Sequence, residues 1–123
     1  IDTSGRDHVF RRVASRDHGQ MGWGGQSVRL LLEDTRAERN NWRGHDPFWE
    51  AGGGKWLFTR ESVFRRHTAL SNDGPGLWLD TDNDANTVEG GHFDDNAVAG
   101  IMLELNTTRT LVQHNVVTGT RWD

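Results

Sequence analysis

A repeat in the second half of the chain is the feature that most constrains the fold. The segment FRRHTALSNDGPGLWLD, residues 64–80, aligns with VEGGHFDDNAVAGIMLE, residues 88–104. The aligned pairs of like residues are Phe64 and Val88, Asn72 and Asn96, Gly76 and Gly100, Leu77 and Ile101, Leu79 and Leu103, and Asp80 and Glu104. Self-similarity at a fixed period of this length is the sequence signature of a repeat architecture.

Weaker copies extend the repeat in both directions. Downstream, we align Val88 with Leu111, an offset one residue shorter than that between Asp80 and Glu104. Upstream, the tetrapeptide VFRR occurs at positions 9–12 and again at positions 63–66. The distance between these two copies accommodates two coils and an insertion, which we place at positions 42–54, WRGHDPFWEAGGG. The whole chain, residues 1–123, is then one repetitive domain.

The runs inside each unit are too short for amphipathic helices. Leu77 and Leu79 alternate with polar or aromatic residues over a few positions and are followed at once by a turn, which indicates short strands. Such strands bury their apolar side only when successive units stack. We predict an all-β fold, a right-handed parallel β-helix (solenoid) of about five coils. A sandwich or jelly roll of short strands is the alternative.

The recurring order of an apolar residue, polar residues, Asn and then Gly-apolar-x-apolar resembles the right-handed parallel β-helix repeat proteins of the pectate lyase-like superfamily. WEAGGGKW at residues 49–56, followed by NDGPGLWLDTDN at 72–83, looks like a bacterial branch of that group. The resemblance implies a secreted or cell-surface protein whose partner is a polysaccharide. It does not imply one activity, because this fold hosts lyases, hydrolases, epimerases, adhesins and spikes.

Composition excludes several classes of function. The formal net charge of −4 argues against nucleic acid as a partner, since a phosphate backbone needs a basic face. The sequence has no cysteine for disulfides or thiolate chemistry, and no apolar run long enough for a membrane span. Open ends of a parallel β-helix expose unpaired strands. We therefore expect either a piece of a longer protein or a homo-oligomer joined through these ends.

Two carboxylates are predicted to lie side by side on the outside of the β-helix. If Leu77 and Leu79 point inward, Asp80 points outward and Glu104 takes the same place one coil later. Carboxylates this close resist joint ionisation, which suits a general acid/base pair or a metal-assisted lyase site. The alternative is an acidic ladder without chemical consequence. Lys55, after the glycine run, is a candidate base beside a uronate carboxylate, a theme of β-helix polysaccharide lyases.

Tryptophans suggest a surface for sugars. The sequence has six tryptophans and no tyrosine, and an exposed indole offers a flat apolar face to a sugar ring. Trp23, Trp49 and Trp78 lie near the beginnings of coils, so they are candidates for a stacking platform, with core filling as the alternative. His45, Asp46 and Glu50 belong to the insertion, where loops on a rigid scaffold tend to form a cleft wall.

The acidic turn after Asp80 raises the question of calcium. An EF-hand loop requires Gly at its sixth position and Glu at its twelfth, and neither register of this segment provides them. Asp82 and Asp84, with Asn86, still offer oxygens for a turn-bound cation such as calcium. The alternative is that Asp and Asn simply favour turns through hydrogen bonds to the backbone. Three functions therefore stay open: an enzyme acting on polysaccharide, a non-catalytic carbohydrate-binding protein, and a structural surface or spike segment.

Overall fold

The described residues form a parallel β-helix. The computed structural model describes residues 1–106 and 108–121, which hold sixteen short strands and no helix. The strands are β1 Gly5–Arg6, β2 Val9–Arg11, β3 Ala14–Arg16, β4 Met21–Gly25, β5 Ser27–Val28, β6 Leu31–Glu33, β7 Arg36–Glu38, β8 Gly52–Leu57, β9 Val63–Arg65, β10 Thr68–Leu70, β11 Leu77–Asp80, β12 Asn86–Glu89, β13 His92–Asp94, β14 Ile101–Glu104, β15 Thr110–Gln113 and β16 Val116–Thr118. The predicted fold class is confirmed.

Three parallel sheets make up the walls of about five coils. Sheet 1 has the order β14-β11-β8-β4, sheet 2 the order β15-β12-β9-β6-β2, and sheet 3 the order β16-β13-β10-β7-β3. A further parallel pair joins β1 and β5. Each strand pairs with the equivalent strand one coil away, so every side chain lies in a column with its equivalents in other coils. Among the described residues, no helix is long and apolar enough to cross a membrane.

The register of the strands confirms the main repeat and corrects its downstream extension. Asp80 pairs with Glu104, as predicted. Val88, however, pairs with Val112 rather than with the predicted Leu111, so the offset equals that between Asp80 and Glu104. Leu111 and Val112 are neighbouring apolar residues, and the apolar pattern alone fits either of them. A slip of one residue moves a side chain to the opposite face of a strand, so the correction changes which residues point inward.

The core is a narrow column of apolar side chains with a hydrogen-bonded amide ladder beside it. The fully buried apolar cluster consists of Trp23, Leu30, Leu32, Ala37, Trp56, Phe64, Ala69, Leu77, Leu79, Val88 and Phe93. In the ladder, the Asn40 amide donates to Asn72 Oδ1 at 2.9 Å and the Asn72 amide donates to Asn96 Oδ1 at 2.8 Å. Because the paired amides satisfy one another, a thin core tolerates these buried polar groups.

The outside of sheet 2 carries a column of alternating charges. Arg11 lies 2.7 Å from Glu33 in the next coil, and Arg65 lies 2.8 Å from Glu89. At the corner beside this column, two hydrogen bonds from Arg66 hold the pKa of Asp34 below its usual range. These arginines therefore belong to ion pairs between coils.

Candidate functional site

The insertion leaves the β-helix between β7 and β8. Its first arm, which contains Asn41 and Trp42, is attached to the coils by side-chain hydrogen bonds. The buried Asn41 amide donates to the carbonyl oxygens of His45 at 2.8 Å and Asp73 at 2.7 Å. The Trp42 indole N–H donates to the Asp17 carbonyl at 3.1 Å. The insertion is shorter than the predicted 42–54, because Gly52–Gly54 lie inside β8 and continue sheet 1.

Lys55 attaches the second arm of the insertion, which contains Trp49 and Glu50 and leads back into β8, to sheet 1. Its Nζ donates to the Trp49 carbonyl oxygen at 2.6 Å and lies 3.0 Å from Asp80 Oδ2. The same nitrogen lies 3.8 Å from the ring centroid of Trp78, a cation–π distance. Only 7% of the Lys55 side chain is exposed. We call this arrangement of Lys55, Trp49, Trp78 and Asp80 the lysine clasp.

The register places the three predicted catalytic residues on one outer face of sheet 1. Lys55 pairs with Trp78, and Asp80 pairs with Glu104, so the two carboxylates occupy neighbouring strands as expected. Asp80 is engaged by Lys55, and it also accepts a hydrogen bond from Thr81 Oγ1 at 2.8 Å. Glu104 is partly buried and makes no ion pair with any described residue.

This geometry limits what Lys55 can do as a base. A general base must reach a substrate proton within hydrogen-bonding distance. The Lys55 ammonium is instead enclosed by a carbonyl, a carboxylate and an indole, all belonging to the protein. The contacts therefore show an attachment role, and a catalytic role would need the second arm to move away.

A cleft of about 570 Å³ lies between the insertion and the segment that leads into β4. Its floor includes His18 and Gln20, and its wall includes Arg43, His45 and Glu50. Within the described part of the chain, the side chains of these five residues make no hydrogen bond or ion pair with protein. Polar groups that the fold does not use are free to bind a ligand.

Asp17 and Trp42 complete the polar and aromatic character of the cleft. Asp17 accepts two hydrogen bonds from the Arg39 guanidinium, at 2.8 and 2.9 Å, and these hold its pKa below the usual range. The Arg43 guanidinium lies 5.0 Å from the ring centroid of Trp42. The cleft thus combines an exposed indole with charged and neutral hydrogen-bonding groups.

The exposure of the tryptophans differs from the expected platform. Trp49 is 69% exposed, as a stacking residue would be. The expectation is wrong for Trp78, which is 2% exposed because the lysine clasp covers it. It is also wrong for Trp23, which points into the core and donates its indole N–H to the Arg36 carbonyl at 2.7 Å. Trp42 is 64% exposed but was not among the predicted sugar-stacking residues. Its position in the predicted insertion could have identified it.

Of the predicted acidic residues outside the clasp, Asp46 and Asp82 have turn geometry, while Asp84 forms an isolated parallel bridge with Arg60. Asp46 Oδ1 accepts the Phe48 N–H at 2.9 Å, which closes a turn within the insertion. Asp82 has a left-handed backbone, with φ of 57°. The Asn86 amide is buried and donates to the Thr59 carbonyl, so it is directed into the stack, away from Asp82 and Asp84. No three His, Cys, Asp or Glu side chains gather to hold a metal among residues 1–106 and 108–121. A cation at Asp82 and Asp84 therefore stays a prediction.

Comparisons with known proteins agree with the architecture. A family model described as a right handed beta helix region matches residues 3–121. A search of curated proteins finds no match. The match covers nearly the whole chain and describes its fold.

Proposed function

We propose that this chain, which belongs to the right-handed β-helix family, binds polysaccharide on its flank without depending on catalysis. The observation that carries the proposal is the pair of exposed indoles on the insertion, Trp42 and Trp49, beside a cleft lined with polar side chains that the fold does not use. A polysaccharide partner also implies that the protein works outside the cell, so we propose that it is exported by a bacterium.

The chemistry of the cleft suits a sugar chain. An indole that is more than half exposed can stack on the apolar face of a sugar ring. The volume of about 570 Å³ falls in the range of small-molecule sites. Arg43, Gln20 and Glu50 provide donors and acceptors for hydroxyl groups, and Arg43 adds a partner for a uronate carboxylate.

Titration of the purified chain with neutral and acidic polysaccharides, followed by calorimetry, tests the proposal. We expect Trp42→Ala to weaken binding of the preferred polysaccharide at least tenfold. Phe58→Ala is the matched control, because Phe58 is also an exposed aromatic residue but lies at a corner outside the cleft. Lack of binding by the folded wild type, or equal affinity of Trp42→Ala, would refute the proposal.

A polysaccharide lyase is the second candidate, and the pairing of Asp80 with Glu104 favours it. In this version Asp80 and Glu104 act as an acid/base pair once Lys55 is released to contact a uronate. The assay is ultraviolet absorbance of a new unsaturated uronate on pectate, alginate and glycosaminoglycans, with calcium and with chelator. A signal that Glu104→Ala abolishes would establish the lyase. No signal from a chain shown to bind would leave the non-catalytic function.

Self-association through the C-terminal coil is a further part of the proposal. Leu103, Val112 and Val117, which continue inward-facing columns, are about half exposed there. Exposed apolar positions of this kind mark association surfaces. We expect light scattering to show a mass that rises with concentration, and Val112→Asp to lower it to that of one chain. A concentration-independent mass of one chain for the wild type would refute this part.

A further inference from the structure

We infer that Lys55 is a positioning residue that sets the wall of the cleft, an inference that rests on the proposed function. Its Nζ donates to the Trp49 carbonyl oxygen at 2.6 Å. Glu50, the next residue, lines the cleft, and the Trp49 indole is exposed beside it. The hydrogen bond at this carbonyl therefore helps to fix where both side chains lie.

The base of the lysine clasp is rigid, which is what a positioning role requires. Lys55 lies in β8, whose backbone is paired on both sides by β4 and β11. Trp78, its partner in register, lies 3.8 Å beneath the ammonium, and Asp80 holds it from the side at 3.0 Å. Because three groups on sheet 1 and the insertion converge on one nitrogen, the lysine transmits the geometry of the sheet to the loop.

The sequence allows Lys55 to be labelled selectively. Lys55 is the one lysine among the 14 basic residues of the chain, the others all being arginine. Amine acylation followed by mass spectrometry therefore reads out this side chain without interference from another lysine.

The variants are chosen so that folding and positioning are separated. Lys55→Met alone would leave Asp80 without its partner in a largely buried place, so we pair it with Asp80→Asn. This double variant keeps the covering stem and removes the charge contacts. Lys55→Arg keeps the cation and is expected to restore the attachment. Glu61→Gln, an exposed carboxylate outside both the clasp and the cleft, is the control.

Cleavage by chymotrypsin after Phe48 and Trp49 measures attachment of the second arm without any ligand. We expect the double variant to be cut there at least tenfold faster than the wild type, with unchanged circular dichroism, and to bind polysaccharide at least tenfold more weakly. Lys55→Arg and Glu61→Gln should resemble the wild type in both assays. In the folded wild type, Lys55 should acylate at least tenfold more slowly than in the same chain unfolded in guanidinium chloride, because only 7% of its side chain is exposed, and equal rates would contradict this enclosure.

The two proposals fail in different ways. Wild-type cleavage rates in a folded double variant would overturn the positioning role, whatever the binding data show. Failure of the wild type to bind any polysaccharide would refute the proposed function, and it would leave the cleavage result to decide whether Lys55 positions the loop. Faster cleavage with wild-type affinity would also overturn the inference, because the loop position would then not matter for binding.

Discussion

Lowering the pH from 7 to 4.5 is expected to destabilise this protein through one side chain, His67. The imidazole is fully buried beside Phe93, and its Nδ1 lies 2.8 Å from Thr35 Oγ1. Its Nε2 has no hydrogen-bond partner among the described residues. Burial lowers the pKa of His67 to about 4, because a charged imidazolium would lose its hydration there.

The sign and the magnitude of this pH effect on the free energy of unfolding follow from proton linkage. The unfolded chain has an ordinary histidine pKa near 6.5, so it takes up a proton before the folded protein does. Between about pH 6.5 and 4 the unfolded state binds more protons, and the free energy of unfolding falls as the pH falls. The maximum slope is roughly 1.4 kcal/mol per pH unit, which gives a loss of about 2 kcal/mol by pH 4.5.

Urea unfolding at pH 7, 6, 5 and 4.5 at constant ionic strength measures this loss. His67→Gln should be less stable at pH 7 but should show a flatter dependence on pH across the same range. His92→Gln, at an exposed position, should keep the wild-type dependence. Parallel curves for the wild type and His67→Gln would refute the reasoning. Below about pH 4 both should lose stability more steeply, since carboxylates such as Asp34 have pKa values lowered by arginine hydrogen bonds that vanish on protonation.

Two further predictions concern the stack itself. Asn72→Ala should lower the free energy of unfolding by about 3 kcal/mol or more, because buried polar groups of Asn40, Asn96 and Ala37 would lose their hydrogen-bond partner. Urea titration measures this loss, and a value below about 1 kcal/mol would contradict the ladder. A methyl group at Gly53 would overlap the Gly76 carbonyl oxygen of the next coil, so Gly53→Ala should abolish or severely impair folding, read by circular dichroism. A methyl group at Gly44 meets no atom, and its positive φ of 70° should cost only about 1 kcal/mol in Gly44→Ala. Equal effects of the two changes would refute the close approach of Gly53 to Gly76.

The register of the coils was predictable where apolar and polar residues alternate cleanly. Asp80 and Glu104 follow matching apolar alternations, so aligning the two segments places them on the same strand position. The alignment failed by one residue at Val112, because Leu111 beside it is also apolar and alternation cannot distinguish the two. Register is specified by the face that a side chain occupies, so two adjacent apolar residues leave it open in the sequence.

Exposure was less predictable than register. Trp78 was correctly expected to point outward, and outward residues of a strand are exposed unless something covers them. Lys55 lies over the Trp78 ring, and nothing in residues 77–80 reveals this contact. Trp23 was expected at the surface but lies in the core, and the reason for this error is different. The glycines around it hid the alternation that would have directed it into the core.

The contacts of Lys55 in the folded chain change the interpretation of this lysine beside two carboxylates. From spacing alone, Lys55 near Asp80 and Glu104 indicates a lyase base. In the folded chain the ammonium is held by Trp49 and Asp80, and Glu104 on that face makes no ion pair with any described residue. A base enclosed by its own protein contributes to catalysis only after the second arm leaves, and that departure would also dismantle the wall of the cleft. Attachment of the insertion and catalysis by Lys55 are therefore competing uses of one side chain, and the chain as folded favours attachment.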